Sequence, residues 1–313
     1  MPGTRFYSNG KFLVTGEYLV MHGAVALALP LRYGQEMYVN QTDSGFLEWT
    51  SYDINELWFK GEYELPSLSL IETNDRKKAL LLQKILRTAD QQSGGSLRKN
   101  SGLVIRTRAN FDRRWGLGTS STLINNIADW LGTDPFRLLW EHYDASGYDV
   151  ACAKENSPLL YSLSGGKPII EKVQFHPSFS DKIWFVYSGR KQDTREGVKR
   201  FRSGGEVPEN MVLNVSDITR EIISTANLKE FMGKIEEHEL LIAGLLQTER
   251  AKEKFSDFNG AIKSLGAWGG DFFMAVTEEE EEYVRGYFGK RGLDNLLSFD
   301  EITLHHGIKS FKF

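Results

Sequence analysis

With 313 residues, the chain is long enough for two domains, or for one large domain with two lobes, and for a sizeable core. Hydrophobic residues make up 41% and charged residues 26%, and the mean hydropathy is −0.37, which argues against collagenous, low-complexity and membrane-embedded proteins. The 38 basic and 42 acidic side chains leave a net charge of −4, so a broad nucleic-acid-binding surface is not expected.

The cysteine count and the N-terminal segment indicate a compartment. Cys152 is the single cysteine, which excludes an intramolecular disulfide. The start at Met1 has no charged region followed by a long apolar stretch, and the apolar run 24–31 is far shorter than the roughly 20 residues of a membrane helix. We therefore expect a cytoplasmic protein that acts on a small molecule, with no membrane or nucleic-acid partner, as a monomer or homodimer.

The first half of the chain is predicted to be rich in strands. Apolar and alternating runs predict strands at 10–14, 24–29, 35–41, 45–49, 57–63 and 101–110. One amphipathic helix interrupts them at 75–91, with Asn74 available as its N-cap. A second helix, at 123–131, follows a glycine-containing turn.

The second half mixes strands with longer helices. Strands are predicted at 159–163, 167–173, 183–188, 271–276 and 295–308, and helices at 212–226, 228–247, 249–265 and 278–290. A polar, basic loop spans 189–208. The pattern predicts an α+β protein with a soft boundary between an N-terminal part, 1–185, and a C-terminal part, 186–313.

A glycine turn that opens a helix is the strongest local signal. In Gly116-Leu-Gly-Thr-Ser-Ser-Thr122, two glycines permit close backbone approach, and the free N–H groups of a first helical turn attract phosphate. The segment has neither the Gly-Lys-Ser/Thr of a P-loop nor the Rossmann glycine spacing. Taken alone, it is either a phosphate cradle or a helix start that its hydroxyls cap.

Three further segments carry chemistry-bearing residues. Lys11 interrupts an apolar strand, which indicates either an anionic partner or a solvent-facing edge position. Asp149 follows a glycine turn, where a carboxylate either orients and deprotonates a hydroxyl or caps a helix. The turn 266–271 is rich in glycine, as in close backbone packing or a tight turn.

Together, and in this order, these segments resemble the three motifs of the galactokinase, homoserine kinase, mevalonate kinase and phosphomevalonate kinase superfamily, the GHMP kinases. Gly10-Lys11, Gly16-Glu-Tyr18 and His22-Gly23 resemble the first motif, 116–122 the Gly-Leu-Gly-Ser-Ser-Ala-Ala loop, and 266–271 the third motif. The resemblance covers nearly the whole chain. It implies a two-lobed fold, with an N-terminal ribosomal-protein-S5-like lobe and a C-terminal ferredoxin-like lobe around an active-site cleft.

The resemblance also implies residue roles in phosphoryl transfer from ATP with Mg²⁺. Lys11 and Asp149 match the catalytic lysine and aspartate. The nucleotide phosphates would be held by Gly116, Leu117, Gly118, Thr119, Ser120 and Ser121. The metal would be held by Ser120 and Glu141. The substrate side and the third motif would include Glu17, His22, Thr194, Gly266, Gly269 and Gly270. These roles agree with the need of phosphoryl transfer for positioning and charge neutralisation.

The chain departs from the family pattern at several points. Thr119 to Thr122 is bulkier and more polar than Ser-Ser-Ala-Ala, and Trp268 replaces a glycine. The stretch from Thr122 to Asp149 is short, so the metal-binding glutamate has no clear match. Glu141 takes that role in our interpretation, with Asp129 and Asp144 as the other nearby acids.

The motif details favour one branch of the superfamily. Gly16-Glu-Tyr18, Ser146-Gly-Tyr-Asp149 and the aspartate that ends the third motif are more similar to phosphomevalonate kinases than to mevalonate kinases. The loop 188–195, with Lys199 and Arg200, offers cations for a phosphorylated acceptor or is simply a solvated loop. A mevalonate kinase, a kinase of another hydroxylated metabolite, and a binding protein or decarboxylase on the same scaffold are the alternatives. For His305-His306, a structural role is favoured over a metal pair, because adjacent strand residues point to opposite faces.

Overall fold

The structure is a computed structural model that describes residues 3–189, 201, 207–266 and 271–305. Within them lie the strands β1 (Thr4–Leu13), β2 (Ala26–Gln41), β3 (Phe46–Tyr52), β4 (Leu57–Glu64), β5 (Leu70–Thr73), β6 (Leu103–Ala109), β7 (Leu159–Ser164), β8 (Lys167–Lys172), β9 (Ile183–Tyr187), β10 (Ala261–Ser264), β11 (Phe272–Val276) and β12 (Leu296–Ser298). The helices are α1 (Arg76–Gln92), α2 (Thr119–Leu131), α3 (Pro135–Trp140), α4 (Tyr148–Lys154), α5 (Glu209–Ser224), α6 (Leu228–Leu246), α7 (Ala251–Lys254), α8 (Glu281–Gly289) and α9 (Phe299–Ile302).

The strands form two sheets, the first from β1 to β8 and the second from β9 to β12. The first sheet has the order β5-β4-β3-β6-β2-β7-β8, and β1 pairs with β2 outside this path. All pairs are antiparallel except β3 with β6. The second sheet, β10-β11-β9-β12, is antiparallel throughout. The α+β architecture expected from the sequence is confirmed, and the division at residue 185 stays a prediction.

Aromatic side chains join the two sheets. The ring of Phe12 on β1 lies 4.9 Å from that of Phe185 on β9 and 5.1 Å from that of Phe272 on β11. All three are buried in one core cluster with residues of α5 and α6. A second core lies between the first sheet and helices α1 to α3, around Trp49 and Tyr63. Among the described helices, none has both the length and the apolar character needed to cross a bilayer.

Four sequence predictions need correction. The strands predicted at 24–29 and 35–41 are one strand, β2, which continues through Pro30 because the pairing with β1 shifts there, between Asn9 and Lys11. Helix α1 is capped by Asp75, whose carboxylate accepts from the Lys78 N–H, and not by Asn74. Asn74 Oδ1 accepts instead from the backbone N–H of residue 60.

The other two errors fall in the C-terminal half. The helix predicted at 249–265 is only the short α7, and Ala261–Ser264 is strand β10, which pairs with β11. A short apolar run fits a buried strand as well as a helix, so its periodicity could not decide. The strand predicted at 295–308 stops at Ser298, since Ser298 and Glu301 form a reciprocal capping box that starts α9.

Candidate active site

The segment 116–122, named the phosphate loop after the role that the resemblance implies, follows a short 3₁₀ turn, Arg113–Trp115, and continues into the first turn of helix α2. Gly116 and Gly118 have φ angles of 67° and 104°, which side chains other than glycine rarely adopt. Gly118 is the N-cap of α2, and no side chain of the described residues caps the N–H groups at this end of the helix. The start of α2 therefore offers backbone N–H groups and the positive end of the helix dipole to an anion.

The hydroxyls of the loop divide into two pairs. Ser121 and Thr122 are buried, and their side chains each donate to the Gly118 carbonyl at 3.0 Å. Thr119 is half-buried and Ser120 is exposed. The inner pair thus holds the turn in shape, and the outer pair lies nearer the surface at the start of α2.

Lys11 is bound to this loop by its backbone and by its side chain. Its N–H donates to the Leu117 carbonyl at 3.0 Å, and its Nζ donates to the Gly116 carbonyl at 3.0 Å. The preceding Gly10 makes the approach possible, because a Cβ there would lie 2.9 Å from the Leu117 carbonyl oxygen. The pairing shift in β1 therefore turns the strand lysine toward the phosphate loop.

Asp149 lies in the first turn of α4, two residues after the N-cap Gly147. Both α2 and α4 pack against β1 and against each other, which brings this carboxylate close to Lys11. Burial raises the pKa of Asp149, and the Lys11 ammonium and the Val150 N–H, which donates to Oδ1 at 3.0 Å, act in the opposite direction. The lysine, the carboxylate and the phosphate loop thus form one site.

Glu17, predicted on the substrate side, is sealed inside the protein. Its carboxylate forms an ion pair with Lys263 of β10, and both side chains are fully buried. His238 of α6 lies 3.5 Å from Glu17 and accepts a hydrogen bond from the Gly16 N–H at 3.0 Å. Glu239 completes the group, 3.9 Å from Lys263. Burial raises the pKa of Glu17 to about 7, while Lys263 lowers it.

The remaining predicted residues lie at different places. His22 is exposed at the end of a 3₁₀ helix with its ring 5.5 Å from that of Phe201, and Gly266 follows β10 with a φ of 65°. Glu141 at the end of α3 accepts from Gln92 at 3.2 Å and lies 3.4 Å from Arg137. Its role as a metal ligand stays a prediction. The other positions singled out from the sequence lie outside the described residues: Thr194, Lys199, Arg200, Trp268, Gly269 and Gly270.

Two residues in contact with the motifs were not predicted from the sequence: Asp271 at the candidate site and Lys263 in the buried group. Asp271 was noted only as a branch marker, yet its carboxylate lies against Gly116, so closely that a Cβ on this glycine would overlap it. Lys263 interrupts the apolar run 261–265 just as Lys11 interrupts its own strand. The same signal could have found it, had the segment been interpreted as a strand.

The side chains around the phosphate loop are of the kind that binds Mg²⁺ together with a nucleotide. Mg²⁺ prefers hard oxygen ligands and is usually held by few protein groups together with substrate phosphates. Ser120 supplies an exposed hydroxyl at the helix start, and the Asp271 carboxylate borders the same loop. The donor set is therefore suited to this ion.

Comparison with known proteins places the fold. No family model and no curated protein sequence matches the chain. Among solved structures, a Streptococcus pneumoniae phosphomevalonate kinase in complex with phosphomevalonate and AMPPNP is similar, with 15% identity, a TM-score of 0.70, and coverage of 94% of this chain and 99% of that one.

Two further structures extend the likeness. A Methanococcus jannaschii mevalonate kinase has 14% identity and a TM-score of 0.67 over 97% of this chain and 99% of that one. A Lactococcus lactis galactokinase complexed with galactose has 11% identity and a TM-score of 0.66 over 99% and 95%. All of these neighbours are GHMP kinases, and the chain has the two-lobed α+β fold that they share.

Proposed function

We propose that this protein is an ATP- and Mg²⁺-dependent kinase that phosphorylates an isoprenoid-pathway acceptor, with phosphomevalonate as the leading candidate and mevalonate as the alternative. The observation that carries the proposal is the hydrogen bond from Lys11 Nζ to Gly116 O, beside Asp149. It joins a cation, an uncapped helix start and a carboxylate in one place. Phosphoryl transfer needs this combination, since positioning and charge neutralisation supply most of its catalysis.

Each group has a defined task in this reaction. The N–H groups at the start of α2 and the Ser120 hydroxyl bind the ATP phosphates, and Lys11 neutralises charge on the transferred group. Bound Mg²⁺, held by Ser120, supplies further charge neutralisation at the phosphates. Asp149 accepts the proton of the acceptor hydroxyl. The hydroxyl oxygen of the acceptor bonds to the γ-phosphorus, and the bond from this phosphorus to the leaving ADP oxygen breaks. The raised pKa of Asp149 makes it a better proton acceptor than an ordinary carboxylate.

The choice of acceptor rests on sequence details and on the fold comparisons. The tyrosines in Gly16-Glu-Tyr18 and Ser146-Gly-Tyr-Asp149, together with Asp271, favour the phosphomevalonate kinase branch. The similarity to the Streptococcus pneumoniae phosphomevalonate kinase agrees with this choice. The similarity to mevalonate kinases, including one of L. major in complex with R-mevalonate, keeps mevalonate as the alternative acceptor.

The experiment measures ADP release by the purified protein with MgATP and, separately, phosphomevalonate, mevalonate, galactose and homoserine. Phosphorus NMR then identifies the phosphorylated product. We expect turnover on phosphomevalonate that Asp149→Asn abolishes and that the exposed control Asp181→Asn leaves unchanged. Turnover on mevalonate alone would preserve the mechanism and change the acceptor. ATP binding without turnover on any acceptor would overturn the kinase assignment for these substrates.

The metal ligands have their own test. Glu141→Gln and Ser120→Ala are assayed over a range of Mg²⁺ concentrations at saturating ATP. A higher Mg²⁺ requirement in either variant supports the ligand role of that residue, and an unchanged requirement removes it.

A further inference from the structure

A cluster of two histidines and one aspartate lies outside the candidate active site. His176 follows β8, Asp300 belongs to α9, and His305 lies three residues beyond this helix. Oδ1 of Asp300 is 2.7 Å from Nε2 of His176 and 3.1 Å from Nε2 of His305. Among the residues that the structure describes, no other group of at least three metal-ligating side chains is as closely spaced.

We infer that His176, Asp300 and His305 form a binding site for a divalent transition-metal ion such as Zn²⁺. One ligand atom from each side chain lies within 4.8 Å of the other two. Two ligands of a tetrahedral Zn²⁺, each about 2.1 Å from the ion, are about 3.4 Å apart. The two separations from Asp300 Oδ1, 2.7 Å to His176 and 3.1 Å to His305, are slightly shorter than this spacing, so small side-chain rotations admit the ion.

Packing holds the two imidazoles in this orientation. The buried ring of Phe299 contacts both, edge-on to His176 with ring centroids 5.9 Å apart and stacked on His305 with centroids 6.3 Å apart. The histidine rings themselves lie 4.2 Å apart. The Ser180 hydroxyl lies 3.3 Å from Oδ2 of Asp300, and a hydrogen bond of this kind orients a ligating carboxylate.

The position and exposure of the three side chains suit metal ligands. The side chain of His305 is 12% exposed, and its Nε2 lies 3.1 Å from Oδ1 of Asp300. His176 and Asp300 are about half exposed, so water can complete the coordination.

The location gives the ion a structural task. The backbone around His305 is attached to β2 through the bridge between Leu31 and Thr303 and the hydrogen bond from Leu304 N to Pro30 O. His176 belongs to the segment that runs from β8 of the first sheet toward β9 of the second. An ion bound here would fasten the segment after α9 to this connection. The sequence offered only the adjacent pair at 305 and 306, whereas the geometry replaces it with residues that lie far apart in the chain.

Calorimetric titration of the tag-free, chelator-treated full chain with Zn²⁺, in excess Mg²⁺ and without nucleotide, tests the site. We expect one Zn²⁺ per chain, and at least tenfold weaker binding in His176→Ala and in Asp300→Asn. The control is His142→Ala, whose ring contacts the Thr88 hydroxyl and belongs to no cluster of the described residues. It should bind like the wild type.

A second readout uses Co²⁺ in place of Zn²⁺. Imidazole ligation should give a visible absorption band in the wild type that is lost in His305→Ala, and circular dichroism verifies that each variant is folded. Wild-type Zn²⁺ affinity in both His176→Ala and His305→Ala would overturn the proposal, as would the absence of micromolar Zn²⁺ binding in the wild type. Neither result depends on the kinase activity proposed above.

Discussion

Two lysines interrupt apolar strands in this protein, and they meet opposite environments. Lys11 on β1 is half-buried beside the phosphate loop, where its ammonium donates to a backbone carbonyl and lies near Asp149. Lys263 on β10 is fully buried and forms an ion pair with Glu17. Glu17 is only six residues from Lys11 in the first motif, so one motif contributes to both clusters.

The difference teaches how to separate a site from a support. A charge that faces a cleft can be satisfied by a ligand, whereas a sealed charge must be satisfied by the protein itself. The cluster of Lys263, Glu17 and Glu239 is sealed and has its partners inside the protein. Besides the ion pair of Lys263 with Glu17, the Glu239 carboxylate accepts from the Ser264 N–H at 3.0 Å and from the Ala251 N–H at 3.0 Å. This cluster joins the first motif to α6 and β10, and thereby fixes the turn that follows Lys11.

The largest expected effect is on stability, at Lys263. Lys263→Met leaves two buried carboxylates uncompensated, and breaking a buried pair in this way costs about 3–5 kcal/mol of unfolding free energy. Denaturant unfolding measures the loss, with the exposed Lys229→Met as the control. The double variant Glu17→Leu with Lys263→Met should recover part of the loss. A single-variant cost near that of the control would place Lys263 outside any essential ion pair.

The next effect is on catalysis, at Lys11. We expect Lys11→Met to lower kcat/KM by about 10²–10³-fold, because a charge that stabilises the transferred phosphoryl group is removed. Its unfolding free energy should stay within about 1.5 kcal/mol of the wild type, since one net hydrogen bond is lost. Steady-state kinetics and denaturant unfolding, with Lys172→Met as control, separate the two effects. A variant that is unstable but fully active per folded molecule would reverse the comparison of the two lysines.

A smaller effect is expected where the loop meets Lys11. Gly118 has a φ of 104°, and a Cβ there would lie 2.9 Å from Ser121 Oγ and 3.2 Å from Lys11 Cγ. Gly118→Ala should therefore cost about 1–3 kcal/mol of unfolding free energy through backbone strain and should also weaken ATP binding. Gly244→Ala, in open space on α6, is the matched control. Equal ATP affinity in both variants would show that the loop tolerates a side chain at this position.

The sequence predicts the candidate active site better than the sealed cluster of Lys263, Glu17 and Glu239, for a physical reason. The phosphate loop, Lys11 and Asp149 each break a local pattern, and local patterns are visible in the sequence. Lys263 also breaks one, but its partner Glu17 is 246 residues away, and His238 bonds a backbone group 222 residues away. Only the packing of β10 and α6 against the first motif brings these groups together. For the same reason, the strands of the first sheet were largely predictable, whereas β10 and the short helix α9 were not.

A pH dependence of stability distinguishes the sealed cluster from an ordinary surface pair. Burial raises the pKa of Glu17 to about 7 in the folded state, from 4.5 without burial, so the folded protein binds the proton more tightly than the unfolded chain. The stability that Glu17 contributes is therefore fully present below pH 4.5 and is lost as the pH rises through about 7. His238 stays neutral because burial holds its pKa well below the usual range, and it remains in both proteins of the comparison. The unfolding free energy of the wild type minus that of Glu17→Gln, measured by denaturant unfolding between pH 5 and pH 8, should thus decrease as the pH rises. A difference that grows with pH instead would mean that the Lys263 ammonium outweighs burial and holds the Glu17 pKa below its ordinary value.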